Sequence, residues 1–296
     1  MNTFLPALIS PVTGEPITVS AMAVPADNML YTILTIISGA FWTYAYIMII
    51  YRGFKDKTSG MPLMVLGLNF AWEFIFGFLG APIVPEGSLL DLSAATPVQR
   101  VWNCIWCIFD VLIVVQKFKY GQGEFKQTMP KAPAKLFYPY LVFIMVLSFV
   151  AVLTSVWEWN DPYGVYSAFI QNVFISAMFV SMLWKKGSSK GQSMGIAIFK
   201  FLGTVAPGLM GASVLIKEYG LTVPMALGDL TFMPLMKVLL VAFAVFDCTY
   251  MISLYRMIKY REHCNPWTKK PLSEEEIAKL KPYHMVTADE EFADCV

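Results

Sequence analysis

Charge is scarce in this chain of 296 residues: 15% are Asp, Glu, Lys or Arg, against 57% hydrophobic. A soluble domain draws about a quarter of its residues from those four types, so that class is excluded and a polytopic membrane protein is expected. The 22 basic and 21 acidic residues leave a net charge of +1, too weak a field to recruit a nucleic acid. Histidine is confined to His263 and His284, and five cysteines lie scattered, which rules out a disulfide framework. Cys104 and Cys107 form a C-x-x-C pair inside an apolar run, far from both histidines, so they read as packing residues rather than zinc or redox ligands. No metal and no cofactor are implied, and no obligate protein partner is inferred.

Long apolar runs are plentiful. Seven stretches are long enough to cross a hydrocarbon core of about 30 Å: residues 29–51, 62–81, 98–116, 136–156, 163–184, 196–216 and 232–255. Basic residues gather between alternate runs, at Arg52 to Lys57, Lys117 to Lys135, Lys185 to Lys190 and from Arg256 onward, while the other connections carry Glu86, Asp91, Glu158, Asp161, Glu218 and Asp229. The positive-inside rule then predicts an all-α, seven-transmembrane-helix bundle with its N-terminus lumenal or outside and its C-terminus cytosolic. Three regions follow: a lumenal tail over 1–28 without a basic leader, the bundle over 29–258, and a polar cytosolic tail over 259–296 with one short helix at Ser273 to Leu280.

One run carries a carboxylate where it is expensive. Glu73 interrupts the apolar stretch 62–81, and an acid at the bilayer centre costs roughly 3 kcal/mol on insertion scales, which marks a functional site. Counting at 1.5 Å per residue from the cytosolic ends puts Glu73 about 16 Å deep, Asp247 about 12 Å, Asp110 about 9 Å, and Asn103 and Asn172 near 18 to 20 Å. Asn69 shares the helix face of Glu73, with Phe76 continuing it; Asn103, Trp106 and Asp110 align likewise, as do Asp247 and Tyr250. The lysines within the runs, Lys200 and Lys237, lie near helix ends, where they can snorkel outward. Glu73 is therefore expected to be protonated rather than ion-paired, with Asp247 as its neighbouring acid. Asp110, near Lys117 and Lys119, suits a structural role as well as a functional one. Protonated acids of this kind serve proton-coupled transport or acid catalysis; a retinal protein would need a lysine deep in the last run, where Asp247 stands instead.

The stretch Asn69-Phe70-Ala71-Trp72-Glu73-Phe74, with Trp102-Asn103, Asp110, Gln171-Asn172, Ser176, Gly203-Thr204, Asp247 and Tyr250, resembles the small integral-membrane terpene cyclases of fungal meroterpenoid and indole-diterpene pathways, which have bacterial relatives. The resemblance runs from about Met29 to Arg256. It implies a metal-independent cyclase in which Glu73 protonates the terminal epoxide of a prenylated substrate, and Asp247 orients or reprotonates it or helps remove the final proton. It further implies that Asn69, Trp72, Phe76, Asn103, Trp106, Asp110, Gln171, Asn172 and Tyr250 line the substrate and its cations, in a multi-pass membrane protein of the endoplasmic reticulum or a bacterial plasma membrane, surrounded by lipid. The clusters D-D-x-x-D and D-x-D-D of soluble terpene cyclases are missing, which argues against ionisation of a diphosphate by magnesium.

Overall fold

The computed structural model describes residues 29–79, 96–230 and 233–260 continuously, with scattered positions in 9–22, 88–92 and 270–276. Among the described residues the architecture is helical: α1 Met29–Lys55, α2 Leu63–Phe78, α3 Pro97–Thr128, α4 Phe137–Glu158 after a 3-10 turn at Ala134–Leu136, α5 Val165–Lys186, α6 Met194–Lys217, the short α7 Val223–Leu227, and α8 Pro234–Tyr260. Six of these (α1, α3, α4, α5, α6 and α8) are long and apolar enough to cross a membrane. The outward faces carry Ile33, Ile36, Ile47, Val101, Ile108, Phe143, Val146, Val150, Val238, Val241 and Val245 exposed, a surface that only lipid solvates well.

Element boundaries follow local chemistry. Thr96 and Ser193 cap α3 and α6 by accepting the backbone N–H of Gln99 and Ile196. Glycines in the left-handed region flank α5, Gly164 before it and Gly187 after it. Helix α2 stops at Phe78, short of the expected Ala81, with Leu79 extended; Gly80 and Pro82 follow in sequence and are poor helix continuers. Helix α3 overshoots its expected end at Gln116 by more than two turns, and the reason is polar. Glu124 on the overhang meets Lys117 at 2.9 Å, Lys186 at 3.3 Å and Thr58 at 2.9 Å, tying α3 to the α1–α2 connection and the end of α5. Lys117 thus attends Glu124, not Asp110.

Helix α1 packs most extensively on α6, α2 on α3 and α4, and α5 on α8. The α1–α6 seam shows how an intrahelical proline is accommodated. Pro207 lies inside α6 and has no N–H for the carbonyl four residues back; that carbonyl, on Gly203, accepts instead from Ser38 Oγ of α1 at 2.8 Å. Gly203 also lets Trp42 lie flat against α6, since a Cβ there would fall 2.6 Å from the indole. Near the start of the chain, Ile17 and Met22 are buried in an apolar cluster with Phe169, Leu215, Met236 and Leu239, so this part of the expected tail packs onto the bundle. Ser273 caps Glu274–Glu276 through a reciprocal bond with Glu276; the rest of the helix expected to Leu280 lies outside the described residues, as do His263, His284, Cys264, Cys295 and Glu86.

Candidate active site

Glu73 is 3% exposed on α2, with Asn69 one turn before it. The Asn69 amide Nδ2 donates to Glu73 Oε1 at 2.8 Å and to Asp110 Oδ2 of α3 at 3.0 Å. Tyr46 of α1 donates its hydroxyl to Glu73 Oε1 and accepts from Asn69. Three helices thus converge on one cluster of two carboxyls, one amide and one phenol. Glu73 Oε2 and Asp110 Oδ1 accept from no neighbouring amide or hydroxyl, the two carboxyls lie within hydrogen-bond reach of each other, and no lysine or arginine pairs with either acid among the described residues.

Beside the cluster lies a cavity of about 130 Å³ that receives Asn69 and Glu73 and is walled by the aromatic rings of Tyr31, Trp42, Trp72, Trp106, Tyr163 and Phe169. Two of the three indoles are fixed by hydrogen bonds. Trp72 Nε1 donates to Ser167 Oγ at 3.0 Å and its ring rests on Phe76, centroids 4.8 Å apart. Trp106 Nε1 donates to Thr43 Oγ1 at 3.1 Å, with its ring stacked near Trp102 and Tyr46. Gly164, with φ of +67°, brings the start of α5 onto Trp72 and Phe76, where a Cβ would meet the Phe76 ring at 2.4 Å.

Of the expected site residues, Asn69, Trp72, Glu73, Trp106, Gln171 and Asn172 reach this cavity. Asn172 has its polar atoms engaged by Ala168 O and Thr204 Oγ1, whereas Gln171 Oε1 is buried without a partner. Phe76 backs Trp72, Asn103 accepts from Gln99 Nε2 at 2.8 Å, and Asp110 stands behind Asn69. Sequence reasoning missed Tyr46, Gln99, Tyr31, Trp42, Tyr163 and Phe169. For Tyr46 a signal existed, a phenol in the middle of an uncharged run; for Tyr163 and Phe169 there was none beyond the common aromatic content of such helices.

A family model, the Pyr4-like transmembrane terpene cyclases, matches residues 25–260. The chain belongs to that family. It is 32% identical over 178 residues to the Pyr4-family terpene cyclase mfmH of Annulohypoxylon moriforme, covering 58% of this chain and 66% of that protein. It is 25% identical over 204 residues to asnovolin H synthase nvfL of Aspergillus novofumigatus (67% and 72%), and 24% identical over 172 residues to terpene cyclase pyr4 of Aspergillus fumigatus (58% and 66%). The aligned stretch thus spans about two thirds of each of these relatives. No solved structure matches the chain. Membership of a terpene cyclase family supports cyclisation over proton-coupled transport, and with the apolar helices it makes the chain an integral, multi-pass membrane protein.

In this Pyr4-like chain the last-helix acid keeps different company from that expected. Asp247 Oδ1 pairs with Lys200 Nζ of α6, and Lys200 also donates to Ser176 Oγ at 3.2 Å while lying over the rings of Phe179 and Tyr250. Lys200 is 1% exposed; it points inward instead of snorkelling, because the Asp247 carboxylate and two ring faces compensate its charge. Asp247 therefore neighbours Lys200, and Glu73 neighbours Asp110. Tyr250 donates to Gln192 Oε1 and stands, like Asp247, outside the cavity wall. Lys237 likewise turns inward, to the carbonyls of Met225 and Asp229. Cys104 and Cys107 are free thiols, with Cys104 Sγ against Gly77 O.

Proposed function

We propose that the chain cyclises a prenylated substrate ending in an epoxide, in the biosynthesis of meroterpenoid natural products, with Glu73 as general acid. One observation carries the reading: the Glu73 carboxyl borders an aromatic cavity, and its Oε2 accepts from no neighbouring amide or hydroxyl. Two carboxyls bridged by one amide, without a cation, favour a shared proton. That proton passes from Glu73 to the epoxide oxygen, which becomes a hydroxyl as its C–O bond opens. Internal alkenes then attack the carbon left electron-poor, each forming a ring bond and passing the cation along the chain. Loss of one carbon-bound proton to a base ends the sequence, and return of a proton to the Glu73 carboxylate restores the acid, so the product is an isomer of the substrate. Trp72, Trp106, Trp42, Tyr31, Tyr163 and Phe169 present π-faces to the migrating charge, and Tyr46 and Asn69 stabilise the carboxylate that Glu73 becomes.

Asp247 serves here as a positioning residue: its charge holds Lys200 in place between α6 and α8. We read α2 as the seventh span, with the N-terminus lumenal and the C-terminus cytosolic in the endoplasmic reticulum membrane. The alternation of basic connections supports this orientation. Microsomes containing the chain, supplied with epoxyfarnesyl or epoxygeranylgeranyl aromatic substrates, should release cyclised isomers. Glu73→Gln should lower turnover by roughly 10²- to 10⁴-fold while the protein stays in the membrane; normal turnover by that variant would overturn the assignment.

A further inference from the structure

Met22 occupies a position that the reaction scheme does not use. It comes from the segment ahead of residues 25–260, the region matched by the family, yet its side chain is 6% exposed and forms part of the cavity wall. It is seated on α6 against Gly211: a Cβ at that glycine would fall 2.3 Å from Met22 Cε, so the absence of a side chain at 211 is what admits the thioether.

Met22 also borders a second, smaller cavity of about 10 Å³ on the far side, between α6, α7 and α8. That compartment is lined by Gly208, Ala212, Leu215, Met236 and Leu240. Its one charged neighbour, Lys237, directs its ammonium to the backbone carbonyls of Met225 and Asp229. Among the described residues the compartment is thus a mostly apolar space whose one charged group is already engaged, and it suits hydrocarbon. Among the described residues Met22 alone is shared between this space and the site of Glu73. An unbranched, flexible side chain with three rotatable bonds is well suited to an adjustable partition.

We propose that Met22 is the specificity-determining partition of the active site: it sets how long an isoprenoid chain the cavity accepts, because its side chain, together with the narrow compartment behind it, fills the space that a further five-carbon unit would take. This rests on the cavity being the isoprenoid site. Glu73 comes from α2, which packs on α3, α4 and α5, whereas Met22 stands on α6, which packs on α1, α7 and α8. Acid and partition therefore belong to separate walls, and chain length can be altered without disturbing the proton donor.

The test is a binding measurement on the full-length chain in microsomes, using tritiated epoxyfarnesyl and epoxygeranylgeranyl phenols whose internal alkenes have been saturated so that nothing is consumed. The readout is the ratio of the two Kd values. Met22→Ala should shift that ratio threefold or more toward the longer compound, and Met22→Trp threefold or more toward the shorter. Leu240→Phe, added to Met22→Ala, fills the rear compartment and should return the ratio toward that of the unaltered chain; a general loosening of the fold would not be reversed by a substitution there. A ratio that moves less than threefold in both Met22 variants, or a Met22→Ala shift that Leu240→Phe leaves in place, overturns the proposal. Turnover is not read, so a failure of Glu73 as the acid shows separately, as missing product with the binding ratios intact.

Discussion

Glu73 and Asp247 both lie buried in this bundle, and the structure treats them oppositely. Asp247 meets a lysine, a hydroxyl-bearing neighbour of that lysine, and two ring faces. Glu73 meets a phenol, an amide and a second acid. Burying an ion pair is tolerable because each charge compensates the other, and the carboxylate of such a pair has no proton of its own to give away. A carboxyl among neutral donors and another carboxyl lacks that compensation, so protonation is its route to a low-energy buried state. The difference teaches that depth in the membrane marks an acid as costly, while the partner decides what the cost is for.

The largest effect that could break this contrast concerns Asp247 and Lys200. Removing one member of a buried pair strands the other charge, at a cost of about 3–5 kcal/mol, whereas replacing both with apolar residues of similar volume is often neutral. Asp247→Ala alone should therefore strip the folded protein from membranes, measured by detergent-extract thermal stability and by abundance. Lys200→Met combined with Asp247→Leu should restore both, and cyclisation with them. A double variant that folds normally but makes no product would move Asp247 into the reaction and erase the distinction between the two regions.

A smaller effect sharpens the other side. Tyr46 donates to Glu73 Oε1, and a hydrogen bond to a group that becomes charged is worth about 1.5–3 kcal/mol. Tyr46→Phe should lower kcat by roughly 10- to 150-fold with little change in KM, because the interaction strengthens only as the proton leaves. An equal rise in KM, with kcat unchanged, would assign Tyr46 to substrate binding instead.

The contrast was half legible in the sequence. Glu73 was recognisable from the apolar run around it, and Asn69 from helical spacing, because both lie on one element whose periodicity fixes their relation. The helices themselves followed from length and hydropathy, since a bilayer tolerates little else. What depth could not supply was rotation and neighbour. Asp110 and Asp247 were both at plausible depths, and only the packing of α2 on α3, with α8 on α5 and α6, decides which faces Glu73. Lys200 was misjudged for the same reason: a lysine six residues into a helix can snorkel or turn inward, and the choice depends on Asp247 across the interface. The polar overhang of α3 was hidden because its cohesion comes from Thr58 and Lys186, residues distant in sequence.

The smallest expected effect separates the two members of the unpaired cluster. Asp110 accepts from Asn69 Nδ2 at 3.0 Å and lies beside Glu73 without lining the cavity, so we propose that it holds the Asn69 amide and shares the Glu73 proton without itself delivering it to the substrate. An asparagine at 110 can still accept that bond through its carbonyl oxygen, and Asp110→Asn should keep turnover within about fivefold, the equivalent of about 1 kcal/mol. Asp110→Leu removes the acceptor and leaves the Asn69 amide short of a partner in a buried site, which costs about 1–3 kcal/mol; it should therefore reduce turnover further than Asp110→Asn, by roughly 5- to 150-fold. Initial rates on one epoxyprenyl substrate, beside the Glu73→Gln variant, decide the matter. If Asp110→Asn were as inactive as Glu73→Gln, the proton would have to originate from Asp110 and reach the cavity through Glu73, making the pair a relay in place of a donor and its support.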